Sequence, residues 1–223
     1  MLVKNLIKAE ERFDGRKIKE TRKLEVEKIS NSCLISMGKS RLLAVSQKGI
    51  SRPYVDKSHE GIVNFSISMG GKRHERLVNF LHKVYIKQKS IDLESLCIKL
   101  NEEVVLIHID LRILSCDGSI YSLIVQGVNS VLETLGVKMN YMPQCFSYCS
   151  IDNVVITDPS ENEQIEEDWN CVVVMKSPKE IVFLEKIGRE CSIEQVFETI
   201  DRSVKDFVVP LPGTEGEKWL RST

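Results

Sequence analysis

Cys116-Asp117-Gly118-Ser119-Ile120-Tyr121 stands between two runs of different period. Residues 104–114 are rich in Val and Ile and read as a strand. From 119 to 135, Ile120, Leu123, Ile124, Val128, Val131, Leu132 and Leu135 recur at helical spacing, apolar enough to be buried on most sides. A strand–turn–helix layout points free N–H groups out of the helix start, a natural seat for phosphate. A site that uses phosphate as a reactant also needs a fixed cation, best an arginine, whose planar fork matches the oxygens. The residues on offer are Ile120 and Tyr121. Gly118 and Ser119 thus read as a phosphate seat without its charge.

Outward from this stretch, residues 3–11 predict a short amphipathic helix with Val3, Leu6 and Ile7 on one side. Phe13-Asp14-Gly15-Arg16 reads as a turn. Strands are expected over 22–29, 32–37 and 41–47, the last two joined at Gly38-Lys39, then a loop over 49–59 and a strand over 61–69 that Gly70-Gly71 breaks. Leu77, Phe80, Leu81, Val84 and Tyr85 mark a helix over 73–89. Beyond 135, strands at 145–149 and 154–157 form a hairpin across Asp152-Asn153, and strands at 171–175 and 180–186 follow. A last helix has Ser192 as N-cap and Ile193, Val196, Phe197, Ile200, Val204 and Phe207 in period. The order predicts one α+β domain over 1–209, with a short tail over 210–223 that includes Trp219.

The chain has 223 residues, 42% of them hydrophobic and 28% charged, which suits a globular fold. No run approaches the roughly 18 apolar residues of a membrane helix, and Met1-Leu2-Val3-Lys4 leads into charged sequence, so neither a span nor a secretory signal is expected. Seven scattered cysteines suggest free thiols in a reducing compartment rather than a disulfide framework. Cys145 and Cys149 lack a second Cys/His pair at zinc-ligand spacing, and no metal or other cofactor is expected. Residues 1–90 hold 20 Lys and Arg against 9 Asp and Glu; residues 91–223 hold 11 against 23. That polarity suits a protein whose basic part meets nucleic acid or an acidic neighbour.

Arg12-Phe13-Asp14-Gly15-Arg16 resembles the Arg-x-Asp-Gly-Arg signature of the ribonuclease PH superfamily. Ile91-Asp92-Leu93-Glu94-Ser95-Leu96-Cys97-Ile98, the strand leading to Asp117-Gly118, Tyr141-Met142-Pro143-Gln144-Cys145 and Thr157-Asp158-Pro159-Ser160 with Glu163 resemble, in that order, the non-catalytic ring subunits of the archaeal and eukaryotic RNA exosome. The resemblance implies a ribonuclease PH-like domain, a β-sheet packed against helices in a ribosomal-protein-like βαβ topology. It implies a six-membered ring that threads single-stranded RNA toward a hydrolytic exoribonuclease. The implied partners are other ribonuclease PH-like ring subunits, RNA-binding cap subunits and that nuclease, in the nucleus, nucleolus and cytoplasm.

Active members of the superfamily shorten RNA from the 3′ end with phosphate as the attacking group. The resemblance assigns that chemistry a Gly-Ser/Thr-Arg cradle and two acids six residues apart, to hold a divalent ion or manage protons. Here the cradle is Gly118-Ser119-Ile120, the first acid is Asp158, and six residues on stands Gln164. Losing one electrostatic contact of this kind typically costs about 10²- to 10³-fold in rate. The expectation is therefore a structural ring subunit that supports RNA processing and degradation, with Gly118, Ser119 and Asp158 as remnants and no catalytic residue. Two alternatives are an active phosphate-dependent exoribonuclease using Asp158 and a stand-alone protein-binding domain.

RNA backbone is met by Lys and Arg, and the candidates are Lys72, Arg73, Arg76 and Lys83. Arg12 and Arg16 are expected to pin the N-terminal turn through carboxylates. The acidic run Asp158, Glu161, Glu163, Glu166, Glu167 and Asp168 reads as a solvated loop, or else a metal site or a contact for a basic partner. His108 is expected in a core or an interface. Phe80, Tyr85, Tyr121 and Tyr148 are expected in the core or against a neighbour, and Trp219 to dock on the domain or a neighbour.

Overall fold

The computed structural model describes residues 2–9 and 11–208, arranged as two sheets with helices between and beside them. The first holds seven strands in the order β1-β2-β3-β7-β4-β5, with β6 added along β7. Its strands are β1 (Leu24–Ile29), β2 (Ser32–Met37), β3 (Ser40–Ser51), β4 (Ile62–Met69), β5 (Lys72–Arg73), β6 (Cys97–Lys99) and β7 (Glu103–Ser115). All neighbours are antiparallel except β4 and β7. That parallel pair demands a crossover, supplied by α2 (Glu75–Leu81), which widens into a looser π-type turn over His82–Lys87. The second sheet has the order β11-β10-β8-β9, built from β8 (Gln144–Ile151), β9 (Val154–Thr157), β10 (Trp169–Ser177) and β11 (Glu180–Gly188). The fold is α+β, with helices packed on sheets.

Strand alternation sorts the layers. On β7, Ile107, Ile109, Leu111 and Ile113 are buried while His108, Asp110 and Arg112 face the open side. On β10, Val172 and Val174 join the main core, whereas Cys171, Val173 and Met175 pack on the far side with Tyr148, Trp169 and Phe207. Between the sheets runs α3 (Ile120–Thr134), with Leu123, Ile124, Val125, Val128 and Leu132 fully covered, each stabilising the fold by about 1.5–3 kcal/mol. Gly127 lets it approach β3: a Cβ there would lie 2.5 Å from the Leu42 side chain. The N-terminal helix α1 (Leu2–Lys8) inserts Ile7 against Cys149, Ile151 and Ile156.

Several expectations need correction. Gly70-Gly71 does more than break a strand. Both residues have positive φ (56° and 76°) in a two-residue turn that pairs Met69 with Lys72. The expected loop over 49–59 begins later, because Gly49, Ile50 and Ser51 pair with Leu106, Val105 and Val104. Part of the acidic run is a short helix, α4 (Glu161–Ile165), rather than a solvated loop.

The last helix, α5 (Ile193–Asp206), is turned against its periodicity. Thr199 and Ser203 are fully buried, while Ile193 and Phe197 are 66% and 58% exposed. Small side chains let the helix lie close to the sheet. Ser203 Oγ donates to Thr199 O at 2.8 Å and lies 2.8 Å from the Tyr148 hydroxyl, and Arg202 Nη1 donates to Val155 O at 2.7 Å. The tail over 210–223, with Trp219, lies outside the described residues.

Candidate functional site

The turn before α3 is closed by the chain itself. Gly118 has φ +77°, and a Cβ on it would lie 2.2 Å from the Pro159 carbonyl oxygen. Ser119, also left-handed (φ 50°), is the N-cap of α3 but does not cap it with its side chain; instead its Oγ donates to Pro159 O at 3.1 Å. Asp117 Oδ1 accepts from Glu161 N at 3.2 Å. The segment after β9 therefore lies across the helix start that strand–turn–helix logic leaves open.

Asp158 sits in that segment, 6% exposed and in a left-handed conformation (φ 51°). Arg22 grips its carboxylate in a fork, Nη2 to Oδ1 at 2.6 Å and Nε to Oδ2 at 2.9 Å. Oδ2 also accepts from Arg22 N at 2.8 Å and Arg16 Nη1 at 3.0 Å. Burial pushes the carboxyl pKa up, but the Arg22 hydrogen bonds and charge outweigh it and hold Asp158 below the usual carboxylate value. Arg22 also donates to Asp117 O.

Arg12, 4% exposed, uses all five N–H groups. Nε and Nη2 reach the two oxygens of Glu163 at 2.8 and 2.7 Å, and the remaining donors go to the carbonyls of Glu20, Thr157 and Asp158. Glu163 in turn accepts from Ser160 N and Oγ, closing a capping box on α4. Arg16 holds Asp14 at 2.7 Å and Asp158 at 3.0 Å. Arg12 and Arg16 thus pin the N-terminal turn through carboxylates, as expected. Reading motifs one at a time missed Arg22, whose neighbours carry no signature. Beside this network lies a cleft of about 480 Å³ bordered by Asp14, Arg16, Arg22, Lys23, Lys39 and Asp117.

Farther along the acidic run, Glu167, its pKa raised by burial, accepts from Asn170, and Asp168 pairs with Arg189 at 3.1 Å. Asp168 also accepts from Asp152 N at 2.9 Å. Among the described residues, no three His, Cys, Asp or Glu are grouped to hold a metal ion. Cys145 and Cys149 are buried free thiols, and burial pushes Cys145 up to about 12. His108 is half-buried on the open face of the first sheet, 3.4 Å from Ser66 Oγ, rather than in the core.

The four basic candidates split into two pairs. Lys72 and Arg73 are exposed at the β4–β5 turn. Arg76, on α2, pairs with Glu185 of β11 at 3.3 Å, and the Lys83 ammonium lies 5.8 Å above the Phe183 ring. Phe80 meets both Phe183 and Tyr121 edge to face, with ring centroids 5.0 and 4.8 Å apart, so Arg76 and Lys83 flank the aromatic joint that ties α2 to the second sheet. Phe80, Tyr85 and Tyr148 are core residues and Tyr121 is half-buried.

No family model matches the chain. It is 26% identical over 221 residues to the exosome complex component RRP45 of Bos taurus, matching 82% of this chain and 50% of that protein. It is 22% identical over 232 residues to the exosome complex component Rrp42 of Methanosarcina mazei, matching 90% of this chain and 87% of that protein. The chain spans about half the length of the RRP45 proteins it matches. Superposition on a structure of the archaeal exosome core gives a TM-score of 0.81 at 20% identity, covering 91% of this chain and 90% of the other. The chain is thus similar over most of its length to exosome components named RRP45 and Rrp42, and it shares the ribonuclease PH-like fold of the archaeal exosome core.

Proposed function

We propose that the chain is a structural subunit of an RNA exosome ring, one that helps form the RNA channel and performs no phosphorolysis itself. The observation that carries this reading is the fate of Asp158. Its carboxylate is taken up by Arg22 and Arg16, and the neighbouring helix start is crossed by Pro159. A carboxylate held this way has little freedom to bind a metal or take a proton, and an aliphatic Ile120 stands where a phosphate cation is needed. Lys72 and Arg73 are the residues offered to single-stranded RNA, since Arg76 and Lys83 are engaged with β11. The partners in this reading are other ribonuclease PH-like ring subunits, RNA-binding cap subunits and a hydrolytic exoribonuclease, in nucleus, nucleolus and cytoplasm. One domain over 1–209 serves this role.

The test has two parts. Purified protein is incubated with 3′-unstructured RNA and phosphate, and no nucleoside diphosphate is expected. The tagged chain is expected to co-purify with ribonuclease PH-like subunits from its own cells. Diphosphate release that Asp158→Asn abolishes would overturn the first half, and recovery of the chain alone the second.

A further inference from the structure

The open face of the seven-stranded sheet carries a row of arginines that only the strand register reveals. Arg73 on β5 pairs with Ser68 on β4, Ser68 with Arg112 on β7, and Arg112 with Leu43 on β3. Paired residues point to the same face, so Arg73 and Arg112 stand two strands apart, about 10 Å. Arg41 lies on that face too, since Leu42 and Ala44 point into the core. It pairs with Ser115 beyond a bulge that leaves Leu114 without a partner and 60% exposed. One strand over and two residues along, Arg41 is about 8 Å from Arg112. Residues 32 to 71 positions apart in sequence thus converge on one end of one sheet.

The row is built as well as charged. Arg112 is tied to Asp110 through Nε alone at 2.8 Å, and Asp110 is itself fixed by Ser66 Oγ at 2.6 Å. The Arg112 side chain is 60% exposed, and among the described residues neither terminal amino group has an observed hydrogen bond. Arg41 and Arg73 are exposed, and no hydrogen bond or ion pair of their side chains is observed among the described residues.

From this register we infer that Arg41, Arg112 and Arg73 form a track for the phosphodiester backbone of single-stranded RNA across strands β3, β7, β4 and β5. Guanidinium forks suit phosphate oxygens, and a rigid sheet presents them without the entropy cost of ordering a loop. Leu114 and the half-buried Leu43 give the sugar and base something apolar to rest on. The inference deepens the proposed RNA contact at Lys72 and Arg73 and rests on it. It adds two residues that no sequence motif marks.

The test follows binding of a fluorescent oligouridylate against salt concentration, comparing wild type with Arg41→Gln/Arg112→Gln and, separately, Lys72→Gln/Arg73→Gln. Two lost phosphate contacts on a single strand make the log–log salt slope shallower by about 1.4 and weaken binding roughly 10- to 30-fold at 0.1 M salt. Arg41→Lys/Arg112→Lys keeps both charges and is expected to keep the slope, which separates charge from folding, and a wild-type melting midpoint in the Gln variant confirms the same. If only Lys72→Gln/Arg73→Gln weakens binding, the track is wrong and the RNA contact at the turn stands. If neither double variant does, both fall. Loss of polyglutamate binding with RNA binding intact would make the face a protein-docking surface and overturn the inference.

Discussion

Arg12 and Glu163 meet in a two-pronged ion pair across 151 residues of chain, Nε to Oε1 at 2.8 Å and Nη2 to Oε2 at 2.7 Å. Neither side chain reaches water to any extent (0% and 1% exposed). The pair stitches the N-terminal turn to α4 and frames the position of Asp158. Breaking one partner of a buried pair costs about 3–5 kcal/mol because the other charge is stranded. Arg12→Met and Glu163→Leu are each expected to lower stability by that amount in urea titrations. The double variant recovers part of the loss, although carbonyls of Glu20, Thr157 and Asp158 then lose their donor. A double variant no better than the worse single one would show that those carbonyl bonds matter more than the ion pair.

Lysine does not replace Arg12. Five N–H donors in a plane are all used here, and an ammonium offers three from a point. Arg12→Lys is expected to destabilise by about 2 kcal/mol or more, since buried acceptors lose their partners, read as a fall in the denaturant midpoint with an unchanged slope.

Asp158 makes stability depend on acid. Its carboxyl pKa is lowered in the folded chain, chiefly because Arg22 outweighs the effect of burial. A depressed pKa contributes stability that is complete above the ordinary value of 3.8 and fades as pH falls through the folded value. The stability gap between wild type and Asp158→Asn is therefore expected to be constant near neutrality and to shrink in the acid range below 3.8. A gap independent of pH down to acid unfolding would contradict the assignment.

Gly118 tolerates no side chain. Its positive φ strains any other residue by about 1–2 kcal/mol, and a Cβ 2.2 Å from Pro159 O forces the loop away. Gly118→Ala is expected to cost about 2–4 kcal/mol in total. Gly70→Ala serves as a control, because its φ is also positive but nothing lies within 4 Å of an added Cβ. It is expected to show the backbone strain alone.

Supplying the missing cation is not expected to create phosphorolytic activity. Ile120→Arg places a guanidinium at the start of α3, yet Pro159 still crosses that helix end and Arg22 still holds Asp158. No nucleoside diphosphate is expected from RNA and phosphate, and detectable release would show that charge alone was lacking.

Much of this architecture is legible in the residues. Alternation and turn chemistry locate β2, the Gly38-Lys39 connection and the Asp152-Asn153 hairpin, and helical spacing locates α3. Local period cannot say which face of α5 meets the sheet, because Thr199 and Ser203 win that face by being small, a matter of fit rather than hydrophobicity. The site was legible in part. Asp158 and Arg12 belong to motifs, but Arg22 reaches Asp158 across 136 residues, and only the folded chain brings them together. The arginine row on the first sheet is hidden for the same reason, since register joins residues that sequence separates.

The outward row on α5 governs how the isolated chain behaves in the test tube. Ile193, Phe197 and Val204 keep their oily surface in water even when folding is complete. Stabilising the core does nothing to mask it. The lone polypeptide is therefore expected to self-associate increasingly as protein and sulfate concentrations rise. Polar replacement at Phe197 is the economical remedy, since that ring contributes little to the interior.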